Sequence, residues 1–304
     1  MTKKRKDLLR LSDLEPQEVT DILDLADKLK KERKQGIPHR LLEGKTLGMI
    51  FTKASTRTRV SFEVGIYQLG GIGLYLNGGD IQLGRGEPIR DTARVLSRYL
   101  DGIMIRTYKQ RDVEELARYS SVPVINGLTD YCHPCQVLAD LQTIREYKGD
   151  FKGLKLAYIG DGNNMANSLI AGAIKTGMKI AIACPPNYMP DAEMVKWGKE
   201  AGVLEVTDSK WVAAKDADVL YTDVWASMGQ ESETAFRKEI FSGYFIDGAL
   251  METAKKDAIV LHCLPAHREE EITGEVFEKH SAEIFDEAEN RLHVQKAIMV
   301  TLMG

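Results

Sequence analysis

Five consecutive polar residues, Ser55-Thr56-Arg57-Thr58-Arg59, are the first place where residue type and spacing imply chemistry. They follow the apolar run TLGMIF, which reads as a buried strand ending near Phe51. They open a segment, Thr56 to Leu69, that reads as a helix with Ser55 as its cap. The first N–H groups of a helix have no intrahelical partner, and the helix dipole favours an anion there. Hydroxyls add donors, and arginine adds a planar fork that matches phosphate oxygens. A helix cap needs one or two such residues, so this run points to a phosphate site. It is not a P-loop, because no G-x-x-x-x-G-K-[ST] segment occurs.

A second cluster is Cys132-His133-Pro134-Cys135-Gln136. Three chemistries compete for it. The C-x-x-C spacing matches a thioredoxin-like redox pair. A zinc site would combine Cys132, His133 and Cys135 with His262, Cys263 and His267, although no second C-x-x-C supports it. The third reading makes His133 and Gln136 donors to a carbonyl or phosphoryl oxygen, which suits a protein that already binds an anion.

Three further clusters lie in the second half. Gly160-Asp161-Gly162-Asn163-Asn164 opens like a dinucleotide-binding turn, but Met165 stands where a third glycine belongs. Its paired asparagines suit a carboxylate or an amine equally well. Asp223-Val224-Trp225-Ala226-Ser227-Met228-Gly229 sets an aspartate where it can receive an ammonium group, with a serine four residues on. His262-Cys263-Leu264-Pro265-Ala266-His267 holds a thiol in a proline-constrained turn. That thiol is either a nucleophile with a histidine base or an inert buried cysteine.

The elements that must position these clusters alternate. A helix is expected over residues 13–35, where Val19, Ile22, Leu23, Ala26 and Leu29 recur near a 3.6-residue period. Strands are expected at TLGMIF, IGLYL, GIMIR and VPVINGL, with helices between them at Thr56–Leu69, DTARVLSRYL and VEELARYS. The segment NGGDIQLGRGEP reads as a loop, and Leu138–Tyr147 as a helix that ends the first domain. The pattern restarts with the strand KLAYI, the helix MANSLIAGAIKTG and strands at KIAIAC, VLYTDV and AIVLHC. The expected fold class is α/β, with two doubly wound parallel-sheet domains and the active site in the cleft between them. The expected domains are residues 1–147 and 148–288, with a C-terminal helix, about 289–304, that packs back on the first. Six polar positions, the five clusters above and Arg106 at the end of GIMIR, sit at or just after strand ends, and in open α/β sheets ligands bind beyond the carboxyl ends of strands.

Bulk properties narrow the function classes. At 304 residues, two domains are the default. A net charge of −4 gives no case for a nucleic-acid or membrane partner. No apolar run approaches the roughly 18 residues that span a bilayer. The start, MTKKRKDLLRLSDL, has no apolar region after its basic head, so a cytoplasmic protein is expected. Four cysteines are too few for a disulfide framework in a chain of this length.

Taken together, Ser-Thr-Arg-Thr-Arg and His-Pro-x-Gln make the chain resemble the aspartate/ornithine carbamoyltransferase family over essentially its whole length. Asp-x-x-x-Ser-Met-Gly and His-Cys-Leu-Pro resemble the ornithine branch. The resemblance implies transfer of a carbamoyl group from carbamoyl phosphate to the side-chain amine of L-ornithine. The alternative acceptors are aspartate, putrescine or an acylated ornithine. It implies that Ser55, Thr56, Arg57 and Thr58 bind the phosphate. Arg106, His133 and Gln136 hold the carbonyl and bridging oxygens, within the segment that includes Pro134 and Cys135. Cys263, Leu264 and Arg291 close around the carbamoyl group. Asn163, Asn164, Asp223, Ser227 and Met228 meet ornithine. Gln82 reaches into a neighbouring subunit's site, in a homotrimer or an assembly of trimers. Arg106, His133, Asp223 and Cys263 are the expected catalytic residues. Neither cofactor nor metal is expected, since carbamoyl phosphate arrives activated. The ornithine amine, with a free pKa near ~10.4, must lose a proton before it attacks.

Overall fold

The computed structural model describes residues 6–227, 229 and 231–304. Two compact units emerge. One holds the chain up to Ala139 together with Asn290–Gly304, and the other is Asp140–Glu289. Among the described residues, no helix is long and apolar enough to cross a membrane.

The first unit runs α1 (Pro16–Lys34), β1 (Thr46–Phe51), α2 (Thr56–Gln68), β2 (Ile72–Asn77), α3 (Ile89–Leu96), β3 (Gly102–Arg106), α4 (Gln110–Tyr119), β4 (Val124–Leu128) and the start of α5 (Pro134–Lys148). The first helix starts at a reciprocal capping box between Glu15 and Glu18, with Pro16 at its first position. The four strands are parallel in the order β2-β1-β3-β4. Strands β3 and β4 are buried along their length, as parallel strands covered on both faces must be. On one face Ile50, Ile103 and Ile105 pack with Val113, Leu116 and Ala93 from the helices.

The second unit contains the rest of α5, then β5 (Lys155–Ile159), α6 (Asn164–Thr176), β6 (Lys179–Ala183), α7 (Ala192–Glu200), β7 (Leu204–Thr207), α8 (Lys210–Ala214), β8 (Val219–Thr222), α9 (Thr234–Phe241), α10 (Gly248–Met251), β9 (Ile259–His262), α11 (Gly274–Lys279) and the start of α12 (Ser281–Met303). Its five strands are parallel in the order β7-β6-β5-β8-β9. Both sheets are therefore doubly wound. The chain moves outward from β1 and then restarts at β3. In the second sheet it moves outward from β5 and restarts at β8. Each restart leaves a crevice at the strand ends, and this is where doubly wound sheets bind ligands.

Some elements differ from the sequence expectation. The helix expected from Leu138 begins at Pro134, because the His133 carbonyl accepts from the N–H groups of Gln136 and Val137 and proline suits a first turn. The last helix, expected from about residue 289, begins at Ser281. Strand β7 was not expected from its residues, which are only half-buried at the sheet edge. Within the loop NGGDIQLGRGEP, Gln82–Arg85 forms a 3-10 turn.

The turn Gly160–Asn164 owes its glycines to backbone packing. Gly160 has φ +144°, a left-handed conformation that favours glycine. Gly162 donates its N–H to the Tyr188 carbonyl at 2.9 Å, and a Cβ there would lie 2.3 Å from both Met189 C and Pro190 N. This close approach accounts for G-x-G without a dinucleotide. Gly162→Ala should therefore destabilise the protein by roughly 1–3 kcal/mol, read as a lower urea midpoint. A wild-type midpoint would refute the packing account.

Candidate functional site

In the first unit, four elements bring their polar residues to one point. Ser55 caps α2, its Oγ accepting from the Thr58 N–H at 3.1 Å. This places Thr58 one turn into the helix, fully buried. Arg106, at the end of β3, donates to Thr58 Oγ1 at 3.3 Å. The two elements flank the crevice left by the β1–β3 restart. Arg291 on α12 donates to Thr58 Oγ1 at 2.8 Å, to Gln136 Oε1, and lies 3.4 Å from His133 Nε2. His133 directly precedes α5, and Gln136 lies in its first turn.

This pocket is strongly positive. Burial holds the His133 imidazole well below its ordinary pKa, and Arg291, Arg106, Lys53 and Arg57 add to the effect. His133 is thus neutral near pH 7 and offers a single N–H rather than a charge. Buried guanidiniums gathered around a neutral hydroxyl, amide and imidazole form an environment that an anion stabilises. Lys53 pairs with Asp130 at 2.9 Å and sits 5.0 Å from the centre of the Tyr108 ring.

Not every residue of the two motifs turns inward. Arg59 pairs with Glu63 at 3.3 Å and stacks 3.8 Å from the Tyr75 ring centre, so it serves the outer face of α2. Thr56 is exposed and Arg57 half-buried. Cys135 donates to the Asn126 carbonyl at 3.3 Å, and Cys132 lies 3.4 Å from Gln110 Oε1. Burial pushes both thiols up to about 12, which removes the thiolate that redox exchange requires. Pro134 opens α5. Gln82 is exposed and is not part of this cluster.

The second unit builds a different site at its own restart, between β5 and β8. Asn163 caps α6, its Oδ1 accepting from Met165 and Ala166 N–H groups at 2.8 and 3.4 Å. Its Nδ2 donates across the crevice to Asp223 Oδ2 at 2.9 Å. Asp223 Oδ1 accepts from the Val224 N–H at 2.8 Å and from the Cys263 thiol at 3.1 Å. Burial pushes the Cys263 thiol well up, and the neighbouring Asp223 and Glu287 carboxyls push it further. A thiol held in this way is a hydrogen-bond donor and not a nucleophile. Leu264 follows with φ 57°, its N–H donating to His262 Nδ1 at 2.9 Å.

Asn164 is buried in the first turn of α6, and Ser227 is half-buried in the loop after β8. Met228 lies outside the described residues. Beneath that loop Arg237 donates to Asp161 at 2.8 Å and to the Trp225 carbonyl at 2.8 Å. Burial pushes the Asp161 carboxyl up to about 6, against the opposing pull of Arg237. Among the described residues, metal-capable donor atoms of Asp223, His262 and Cys263, and of His267, Glu270 and Glu271, come within 4.8 Å of one another. In the first set the His262 ring is already engaged by Leu264 and by Glu271, the latter at 3.1 Å. In the second, Lys238 holds Glu270 at 2.6 Å.

Sequence reasoning missed two contributors, Arg237 and Glu287. The capping role of Asn163 was legible in its Asn-before-helix position. Arg237 has a local partner in Glu233, but the contacts that bring Arg237 and Glu287 to this site, with Asp161 and with the His262 N–H, span 76 and 25 residues.

Comparisons with known proteins show the family. Residues 6–146 match a family model described as the carbamoyl-P binding domain of aspartate/ornithine carbamoyltransferase, and residues 152–302 match its Asp/Orn binding domain. The chain is 56% identical to an ornithine carbamoyltransferase of Oceanobacillus iheyensis, over 99% of this chain and 95% of that one. It is 55% identical to one of Thermococcus kodakarensis, over 98% and 96%. The solved structure of ornithine carbamoyltransferase from Pyrococcus furiosus is similar, with a TM-score of 0.94 and 53% identity, covering 98% of this chain and 97% of that one.

The state of Cys263 is open to direct measurement. Cys263 keeps partial exposure, whereas the other three cysteines are buried. Its alkylation by iodoacetamide at pH 8 should be much slower than that of a free thiol, whose pKa is ~8.5. Asp223→Asn removes a negative charge, lowers the thiol's pKa and should speed the reaction. Unchanged or slower labelling would show that Asp223 does not hold the thiol protonated.

Proposed function

The chain belongs to the aspartate/ornithine carbamoyltransferase family, and we propose that its two units each bind one substrate of the reaction. That reaction transfers the carbamoyl group of carbamoyl phosphate to the side-chain amine of L-ornithine, giving L-citrulline and phosphate. The first unit takes carbamoyl phosphate. Ser55, Thr56, Arg57 and Thr58 hold its phosphate at the start of α2. Arg106, His133, Gln136 and Arg291 surround the carbamoyl oxygens, with Pro134 and Cys135 supplying the backbone of that turn. Cys263 and Leu264 complete the carbamoyl contacts.

The second unit takes ornithine, and the observation that carries this reading is the buried Asp223 carboxylate with the Cys263 thiol donating to it. A carboxylate there attracts the cationic side chain of ornithine and repels the carboxylates of aspartate. Asn163 orients Asp223, while Asn164, Ser227 and Met228 meet the α-substituents. The neutral amine attacks the carbamoyl carbon, a C–N bond forms, and the C–O bond to phosphate breaks. Arg106, Thr58 and His133 stabilise the tetrahedral oxyanion. Cys263 already carries its proton, and Asp223 already accepts three hydrogen bonds. The amine gives up one proton to solvent before it attacks and a second once the C–N bond has formed, and that second proton leaves with the phosphate. Holding the two reactants in line supplies much of the rate.

We also assign the chain to a homotrimer, or an assembly of trimers, in which Gln82 serves a neighbouring subunit's site. Val60, Val64 and Tyr67 recur along one exposed face of α2, and Ile72, Leu74 and Tyr75 are exposed on the edge strand β2. Exposed apolar residues on an unpaired parallel edge favour self-association. Its four free cysteines support a reducing, cytoplasmic location. The conversion of ornithine to citrulline supports a role in arginine metabolism.

With ornithine, aspartate and putrescine offered in parallel, ureido product should form with ornithine alone. Arg57→Ala and Arg106→Ala should each cut that turnover by ~10²–10³-fold, while Cys132→Ser leaves it near wild type. Turnover with another amine would overturn the assignment of the second unit, and equal losses in all three variants would overturn the anion pocket. Sedimentation velocity should give a species of at least three chains, and Tyr67→Asp with Ile72→Asp should break it down. A monomeric wild type would refute the trimer.

A further inference from the structure

One buried acidic pair has no place in the chemistry above. Glu287 on α12 is fully buried, and so is Asp140 on α5. Their side chains are hydrogen-bonded to each other. The same carboxyl of Glu287 serves two more groups. Its Oε2 accepts the His262 backbone N–H at 2.8 Å, and its Oε1 accepts the Tyr221 hydroxyl at 3.2 Å. A single side chain thus ties α5, α12, β8 and β9 together. His262 is the last residue of the edge strand β9, and Cys263 follows it directly.

Two carboxyls in hydrogen contact within a buried site cannot both be ionised. A hydrogen bond between them also requires a proton, because two carboxylates offer only acceptors. The groups facing Glu287 reinforce this. Asp140 approaches from α5, Tyr221 from β8, and His262 and Cys263 from β9 and its turn. Burial pushes the Glu287 carboxyl well up, and Asp140 pushes it further, against the His262 and Tyr221 hydrogen bonds.

We propose that Asp140 and Glu287 share a single proton at neutral pH and that Glu287, held in this way, is a positioning residue for the strand end that carries Cys263. Helix geometry extends the consequence. Gln136 and Asp140 lie four residues apart on one face of α5, and Glu287 and Arg291 lie four apart on one face of α12. The Gln136–Arg291 hydrogen bond and the Asp140–Glu287 pair therefore join the same two helices one turn apart. Within the second unit, the shared proton sets the register on which the Cys263–Asp223 contact depends. Loss of the proton would put two negative charges in contact and push the helices apart.

The activity part of this inference rests on carbamoyl transfer to ornithine; the proton itself is measured independently. Infrared difference spectra of the full-length protein at pH 7, wild type minus Glu287→Gln and wild type minus Asp140→Asn, should each show the carbonyl stretch of a protonated carboxylic acid that shifts in D2O. Its absence from both spectra would overturn the shared proton, whatever the activity. For the positioning role, Glu287→Ala should lower kcat for ornithine carbamoylation on the order of tenfold to a hundredfold. Glu287→Gln, whose amide donates to Asp140 and whose carbonyl accepts the His262 N–H, should restore most of that loss. If Glu287→Ala turns over like wild type, or Glu287→Gln is as impaired as a well-folded Glu287→Ala, the positioning role is wrong. Should Glu287→Ala fail to fold, the spectra and the Glu287→Gln kinetics still decide.

Discussion

The first unit depends on one buried guanidinium. Arg291 comes from the last helix of the chain, and its contacts reach Thr58 on α2 and both His133 and Gln136 on α5. Three elements separated by up to 233 residues meet on that one group. Arg106 joins them through the same Thr58 hydroxyl. Gathering positive charge in this way is unfavourable in a protein without an anion; burial depresses the basicity of His133, and the gathered charge depresses it further. The arrangement persists because Thr58, Gln136 and His133 satisfy the guanidinium donors while leaving their charge in place. A carboxylate in any of those three positions would pair with the guanidiniums and weaken the pocket's attraction for an anion.

The second unit solves the opposite problem. Asp223 is buried at a strand end, and Asn163, the Val224 N–H and the Cys263 thiol surround it with donors. Each of these partners is itself anchored. Asn163 caps α6, and the turn after β9 is shaped by the His262 ring, which Glu271 holds from behind. Negative charges that would disturb this site are kept uncharged or paired. Cys263 remains a thiol, and Asp161 pairs with Arg237. Both charge environments sit at the restart of a doubly wound sheet, where strand ends diverge and backbone dipoles are not consumed by a neighbouring strand.

The sequence made the sheets legible because buried parallel strands are short, continuous apolar runs. TLGMIF, GIMIR and KLAYI are all of this kind. Strand β7 escaped because LEVT is half-exposed and its pairing with β6 is tertiary. The start of α5 was hidden by Pro134, which reads as a breaker until its place in a first turn is known. At the sites, Ser55, Thr58, Arg106, His133, Gln136, Asp223 and Cys263 stood out because polar residues directly after apolar strands are costly without a purpose. Arg59 looked equivalent to Arg57 in the sequence. Only the helix geometry, with Glu63 four residues on and Tyr75 beneath, turns it outward. The engagement of Cys132 and Cys135 by Gln110 and Asn126 was equally invisible, because those partners come from other elements.

A net charge of −4 averages over the feature that matters most. One unit gathers Lys53, Arg57, Arg106 and Arg291 around a neutral histidine, and the other centres on a carboxylate and a protonated thiol. The two substrates carry the complementary charges, a phosphate dianion and an alkylammonium. Had one pocket held both environments, the guanidiniums would have paired with Asp223 and neither substrate would have been attracted. Each environment stands at the restart of its own sheet and so keeps its own sign of charge. An ionised thiol in contact with Asp223 would also put two negative charges side by side in a buried site. Keeping Cys263 protonated avoids that repulsion and withholds the stronger nucleophile of the pair.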